Sequence, residues 1–146
     1  MKDNTSKLLG LEDVIVKNIE EINDDIHISI ELPRVSHIYP CCGINTNRIH
    51  DYRIQIVRDC SAFGKKVFLH LRKRRYRCSS CGKRFYENNS FLPRYHHVTQ
   101  RLILKVISSF RETVSATHIA KESNISTTTA LRYFDLLDYG KQRCSQ

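Results

Sequence analysis

The sequence predicts an α+β chain, with its strands ahead of about residue 86 and its helices after residue 96. Two observations carry this. The hydrophobic period changes once along the chain, from two to nearly four, and the change falls beside Pro93. The stretch before the change is also rich in β-branched and aromatic residues and punctuated by turn residues.

The elements follow in order. "VIVKNIEEI" and "IHISIEL" flank "NDD", and Ile26, Ile28, Ile30 and Leu32 alternate, so a β-hairpin is expected over about residues 13–33. "RIHDYRIQIVRD" and "KKVFLHLRKRRYR" repeat the signature around "SAFGKK". There Gly64 can take a positive φ, Val67, Leu69 and Leu71 point inward, and Arg72 and Arg74 face out. Four or five strands are thus expected before residue 86. In "TQRLILKVISSFRE", Leu102, Val106 and Phe110 lie four apart, with Ile103 and Ile107 beside them, which makes one apolar helix face. Thr99 suits its N-cap. "SATHIAKESNISTTTALRYFDLLD" reads as two short helices broken at Ser123 and Asn124, with Ser126 capping the second.

Composition limits what these elements can do. In 146 residues, 40% hydrophobic and 27% charged, there is room for one domain or two small ones that fold in water. No apolar run approaches the roughly 20 residues that cross a bilayer, and the N-terminus lacks the apolar core of a signal peptide, so a cytoplasmic protein with no membrane partner is expected. In that compartment six cysteines point to metal ligands or buried thiols rather than to disulfides.

The net charge of +9 is unevenly placed. Residues 1–31 hold three lysines against eight carboxylates, a charge of −5, so the remainder carries +14. Residues 65–84 contain nine Lys or Arg and no acid. Such a stripe attracts polyanions, above all the phosphate backbone, and it nominates Lys65, Lys66, Arg72, Lys73, Arg74, Arg75 and Arg77 as DNA contacts. The plainer alternative is a solvated strand face.

The last two helices have the spacing of a helix-turn-helix. Ala120 supplies the small residue, Asn124 the turn, and Ile125, Ala130 and Tyr133 the apolar contacts that hold the second helix down, with Ile119 beside them. Any small three-helix bundle could share that pattern. If the motif holds, Ser126, Thr127, Thr128, Leu131 and Arg132 face outward near the start of the reading helix, and Arg132 could pair with guanine.

Zinc ribbons bind through two turns, each usually CxxC followed by glycine. "CSSCG" supplies Cys78, Cys81 and Gly82. "YPCCG" supplies Cys42 before Gly43, but Tyr39 stands three places ahead of it. Cys41 is the first candidate for a fourth zinc ligand, with His37, His50, His70 and Cys60 behind it. Cys60 with His50 could also be drawn as nucleophile and base, but no third orienting group is indicated.

Residues 39–102, with "RIHDYRIQIVRD", "RYRCSSCGKRF" and "FLPRY" in order, resemble the zinc-ribbon module at the N-terminus of bacterial insertion-sequence transposases of the ISL-three family. Arg48, His50, Tyr52, Arg53, Arg58 and Asp59 fall on the first run. Arg75, Tyr76, Arg77, Cys78, Cys81, Gly82, Lys83 and Phe85 fall on the second, and "NISTTTALRY" takes the place of the family's reading helix. Two departures stand out. Pro40 aligns the first turn so that Tyr39 occupies the position of the family's first cysteine, and the chain stops at Gln146 where the family continues into an RNase H-like catalytic domain.

The resemblance implies a zinc-ribbon-like DNA-binding domain over residues 8–92, a helix-turn-helix domain over 96–138 and a short tail over 139–146. It implies the DNA-binding part of a truncated transposase, itself no enzyme, which recognises the terminal inverted repeats of its element. Zinc is the expected cofactor, held by Cys42, Cys78 and Cys81. Double-stranded DNA is the expected partner, with a homodimer or a full-length transposase as protein partner. The alternative is a stand-alone helix-turn-helix transcription regulator that carries a ribbon.

Overall fold

The computed structural model describes residues 7, 9–11, 14–38, 42–87, 92, 97–112 and 114–144, with side chains to residue 136. Tyr39, Pro40, Cys41 and the boundary residue Pro93 lie outside the described residues. The strands are β1 (Ile15–Ile22), β2 (Asp25–Glu31), β3 (His37–Ile38), β4 (Asn45–Thr46), β5 (Ile49–Ala62), β6 (Lys65–Arg77) and β7 (Arg84–Tyr86). The helices are α1 (Gln100–Ser109), α2 (Ala116–Glu122) and α3 (Thr127–Cys144). The α+β class is as the sequence predicts.

One sheet has the order β1-β2-β6-β5, with β7 added beside β6, and β3 and β4 form a separate two-stranded ribbon. Both long hairpins close through pairs of residues with positive φ, Asn23 and Asp24 at 50° and 68°, and Phe63 and Gly64 at 53° and 71°. Such paired left-handed residues match the twist of the flanking strands. The two hairpins then join by a parallel pairing, Ile26 through Glu31 beside Val67 through Arg72. This places Ile28, Ile30, Val67, Leu69 and Leu71 on one face, buried with Val57, Leu11, Val14 and Leu92.

The buried face of β6 then reverses. Val67, Leu69 and Leu71 face the core, but Arg74, Tyr76 and, just past the strand, Cys78 are the buried residues beyond it. Side chains alternate across a strand, so the step from 71 to 74 crosses the sheet. This corrects the expectation that Arg74 faces out toward DNA. Its side chain is 8% exposed, its Nη2 lies 3.7 Å from Glu31 and its Nη1 3.5 Å from Glu87, and it also donates to the Leu32 carbonyl. Arg74 binds the sheet to the segments that flank it.

The helices form a second core of Val98, Leu102, Val106, Ile119, Ala120, Ile125, Ala130 and Tyr133. Thr99 caps α1, accepting from the Leu102 amide at 3.4 Å, and Ser126 caps α3, accepting from the Thr129 amide at 3.1 Å. Asn124 takes a φ of 55° between α2 and α3, as the sequence suggests, and the Ile125 amide reaches back to the Ala120 carbonyl at 3.1 Å. α3 is longer than the short helix expected, running 18 residues.

Asp59 fastens the two cores together. Arg58 and Val98 form a parallel bridge, and Asp59, on the buried side of β5, accepts from Thr99 Oγ1 at 2.8 Å, from Arg101 Nε at 2.7 Å and from the Cys60 amide at 2.8 Å. A second Arg101 nitrogen pairs with the other Asp59 oxygen, and a third donates to the Leu9 carbonyl.

Candidate metal centre and nucleic-acid surface

The end of β6 is shaped into a thiolate-bearing turn. Past Arg77 the chain reverses through Ser79, Ser80 and Cys81. Gly82 follows with a φ of 72°, its amide on the Cys78 carbonyl at 3.0 Å, while the Cys78 amide meets the Lys83 carbonyl at 2.9 Å. Glycine takes that backbone conformation at the least cost. Thr46 Oγ1 donates to the Arg77 carbonyl at 2.9 Å, and this ties the β3–β4 ribbon over the turn. Beneath it Tyr76 is fully buried, with the His37 ring 4.6 Å and the Phe85 ring 5.6 Å from its own.

This arrangement brings Cys42 to within 3.2 Å of Cys78 and 3.6 Å of Cys81, sulfur to sulfur. All three ligand atoms lie within 4.8 Å of one another. Tetrahedral zinc, with bonds to sulfur of about 2.3 Å, holds its sulfurs about 3.8 Å apart, so the three thiols need only small movements to occupy three corners. The donor set fits zinc. Among the described residues His37, His50, His70 and Cys60 do not join this cluster. His37 packs on Tyr76, and His70 Nε2 lies 2.9 Å from His27 Nδ1.

The protons on these sulfurs are unevenly held. The Cys81 amide, followed by smaller contributions that include Cys42 and the Ser80 amide, pulls the Cys78 thiol down to about 7. Cys42, sharing a hydrogen bond with that sulfur and partly desolvated, is pushed up to about 12. Cys78 is thus the thiolate that a cation meets first. Cys60 shows the opposite of an activated nucleophile, because burial and then the Asp59 charge push its thiol up.

The basic strand divides into paired and free cations. Lys65 pairs with Glu21 and lies 3.8 Å from Asp24, and Arg75 is held in a two-pronged pair by Asp51, with Nε to Oδ1 at 2.7 Å. Lys66, Arg72 and Arg77 are exposed. The Arg72 guanidinium stacks 3.9 Å over the Tyr52 ring, and Lys73 lies 5.0 Å from the ring centre of Tyr86.

Residues 40–81 match the family model described as the zinc-finger of transposase IS204/IS1001/IS1096/IS1165. That match spans less than a third of the chain, and over it the chain is similar to a zinc-finger of the transposase type. A curated relative, the transposase for insertion sequence element IS1001 of Bordetella parapertussis, is 35% identical over 77 residues, which are 51% of this chain. The chain spans 19% of the length of that relative. No solved structure matches the chain significantly. No helix among the described residues is long and apolar enough to cross a membrane.

The matched region contains Cys42, Cys78 and Cys81 toward its two ends and the basic strand between them. Beyond it, Thr128, Leu131 and Arg132 are exposed on α3 and Thr127 is half-buried, while the Ser126 hydroxyl is occupied in capping the helix. Sequence reasoning missed the Asp59–Thr99–Arg101 joint. Its partners lie about forty residues apart, and no local pattern links them.

Proposed function

We propose that this chain is the DNA-binding part of a transposase of the ISL-three type, and that it recognises the terminal inverted repeats of its insertion sequence. The observation that carries the reading is the match of residues 40–81 to the zinc-finger of such transposases. Zinc would be held by Cys42, Cys78 and Cys81, with Cys41 the nearest candidate in sequence for the fourth place. The ion would supply no chemistry beyond fixing the two turns, as structural sites do.

The β-rich region 8–92 and the helical region 96–138 act as two DNA-contacting parts joined through Asp59. α2 and α3 serve as a helix-turn-helix, with Arg132 and Thr128 toward base edges and Thr127 toward the backbone. Lys66, Arg72, Lys73 and Arg77 supply phosphate contacts that carry no sequence information, and Arg75 contributes only what its pairing with Asp51 leaves. The role proposed for residues 40–81 is one of binding rather than cutting, because the family match is to a zinc-finger.

Arg132→Ala tests the assignment of α3. Loss of one good side-chain pairing with a base is worth about 1–3 kcal/mol. The variant should therefore bind a duplex selected by the unaltered chain roughly tenfold or more weakly, and an unrelated duplex almost unchanged. Equal losses on both duplexes would make Arg132 a phosphate contact and remove the evidence that α3 reads sequence.

A further inference from the structure

On the side of the sheet opposite the Val57–Leu69 core, β5 is exposed, while farther along β6 the same side holds the buried Arg74 and Tyr76. In β5, Tyr52, Ile54 and Ile56 point that way and are 43%, 71% and 52% exposed. Arg58 continues the row, and across the pairing Arg72 lies opposite Ile54, with its guanidinium over the Tyr52 ring. Three exposed apolar residues in line, bordered by two exposed arginines, form a patch that a monomer surface seldom carries without a partner.

The charges select the partner. Two copies of this face packed symmetrically would bring Arg58 and Arg72 against their own kind, a repulsion that nothing in the row offsets. A polyanion with apolar groups between its charges satisfies both features. The spacing also fits double-helical DNA, because residues two apart on a strand are separated by about 6.8 Å, close to two base-pair steps of about 3.4 Å. Isoleucine side chains can meet thymine methyls in the major groove while arginines hold the phosphates beside them.

The row runs toward the helices. Arg58 is bonded through its backbone to His97 and Thr99 at the start of α1, at 2.9 and 3.0 Å.

We propose that Tyr52, Ile54, Ile56, Arg58 and Arg72 form a second DNA-reading surface, beside the start of α1, that contacts bases through its isoleucines. This rests on the reading of the chain as a DNA-binding protein. The full chain is first used to enrich a duplex from a randomised pool, and that duplex, its separated single strand and an unrelated duplex then serve as probes. The variant carrying Ile54→Ser and Ile56→Ser should bind the enriched duplex about tenfold more weakly, with unchanged affinity for the unrelated one and an unchanged salt slope. Arg72→Ala should weaken both duplexes alike and reduce the slope by about 1.

All these side chains are exposed, so the thermal midpoint should hold. Should serine loosen the strand, Ile54→Thr with Ile56→Thr keeps the β-branching and is expected to show a smaller loss in the same direction. Undiminished binding of the enriched duplex by either pair of substitutions would overturn the proposal while leaving the DNA-binding reading intact, and so would tighter binding of the single strand. Enrichment of no duplex by the unaltered chain would overturn both.

Discussion

Asp59→Asn should destabilise the protein by about 3 kcal/mol and loosen the helices from the sheet. The Asp59 side chain is 1% exposed, and its two oxygens collect the Thr99 hydroxyl, the Cys60 amide and two Arg101 nitrogens. Asparagine keeps the shape but turns an NH2 group toward a donor and strips the arginine of its counter-charge. Removing one partner of a buried pair costs about 3–5 kcal/mol. Arg101 is 36% exposed and keeps some hydration, which places the loss at the lower end. Urea unfolding followed separately by a probe on the helices and one on the sheet should show the helical transition moving to lower denaturant first. A loss under about 1 kcal/mol, with both probes still coincident, would show that the apolar contacts alone hold the two parts together.

Cys78→Ser should release zinc from the purified chain. A structural zinc site is worth about 10–16 kcal/mol in apparent binding energy, so one thiolate contributes on the order of 3 kcal/mol. Cys78 is the choice with most to lose, because its thiol is drawn down to about 7 while that of Cys42 is pushed up. Metal retention should weaken as the pH falls, because protons compete with the metal for all three sulfurs. Tyr39→Cys, which restores the cysteine that the ISL-three resemblance places there, should tighten binding and keep the metal to a lower pH. Metal content by elemental analysis of the three proteins decides this. Equal zinc in the unaltered chain and in Cys78→Ser would remove the site from Cys42, Cys78 and Cys81.

Much of this architecture can be read along the chain. The alternation from Ile26 to Ile30 and from Val67 to Leu71 gives strands and inward faces, because a half-buried strand must separate apolar from polar at every second residue. Cys78, Cys81 and Gly82 announce their turn by spacing alone, and Asn124 announces the break between α2 and α3. What the alternation cannot state is which strand lies beside which, so the parallel pairing of β2 with β6 is absent from it. The basic run hid a structural residue for a related reason. Arg74 has the same local surroundings as Arg72, and only the acids brought in from Glu31 and Glu87 distinguish them. β3, β4 and β7 are too short, at two or three residues each, to impose a period at all.

If unpaired cations hold this chain on DNA, as proposed, binding should weaken steeply as salt rises. With about four phosphate contacts among Lys66, Arg72, Lys73 and Arg77, the logarithm of affinity should fall against the logarithm of salt concentration with a slope of about −3.6. That slope weakens binding roughly a hundredfold between about 50 and 200 mM salt. An affinity for duplex DNA that stays flat across that range, or is absent at its low end, would mean that these cations do not hold DNA.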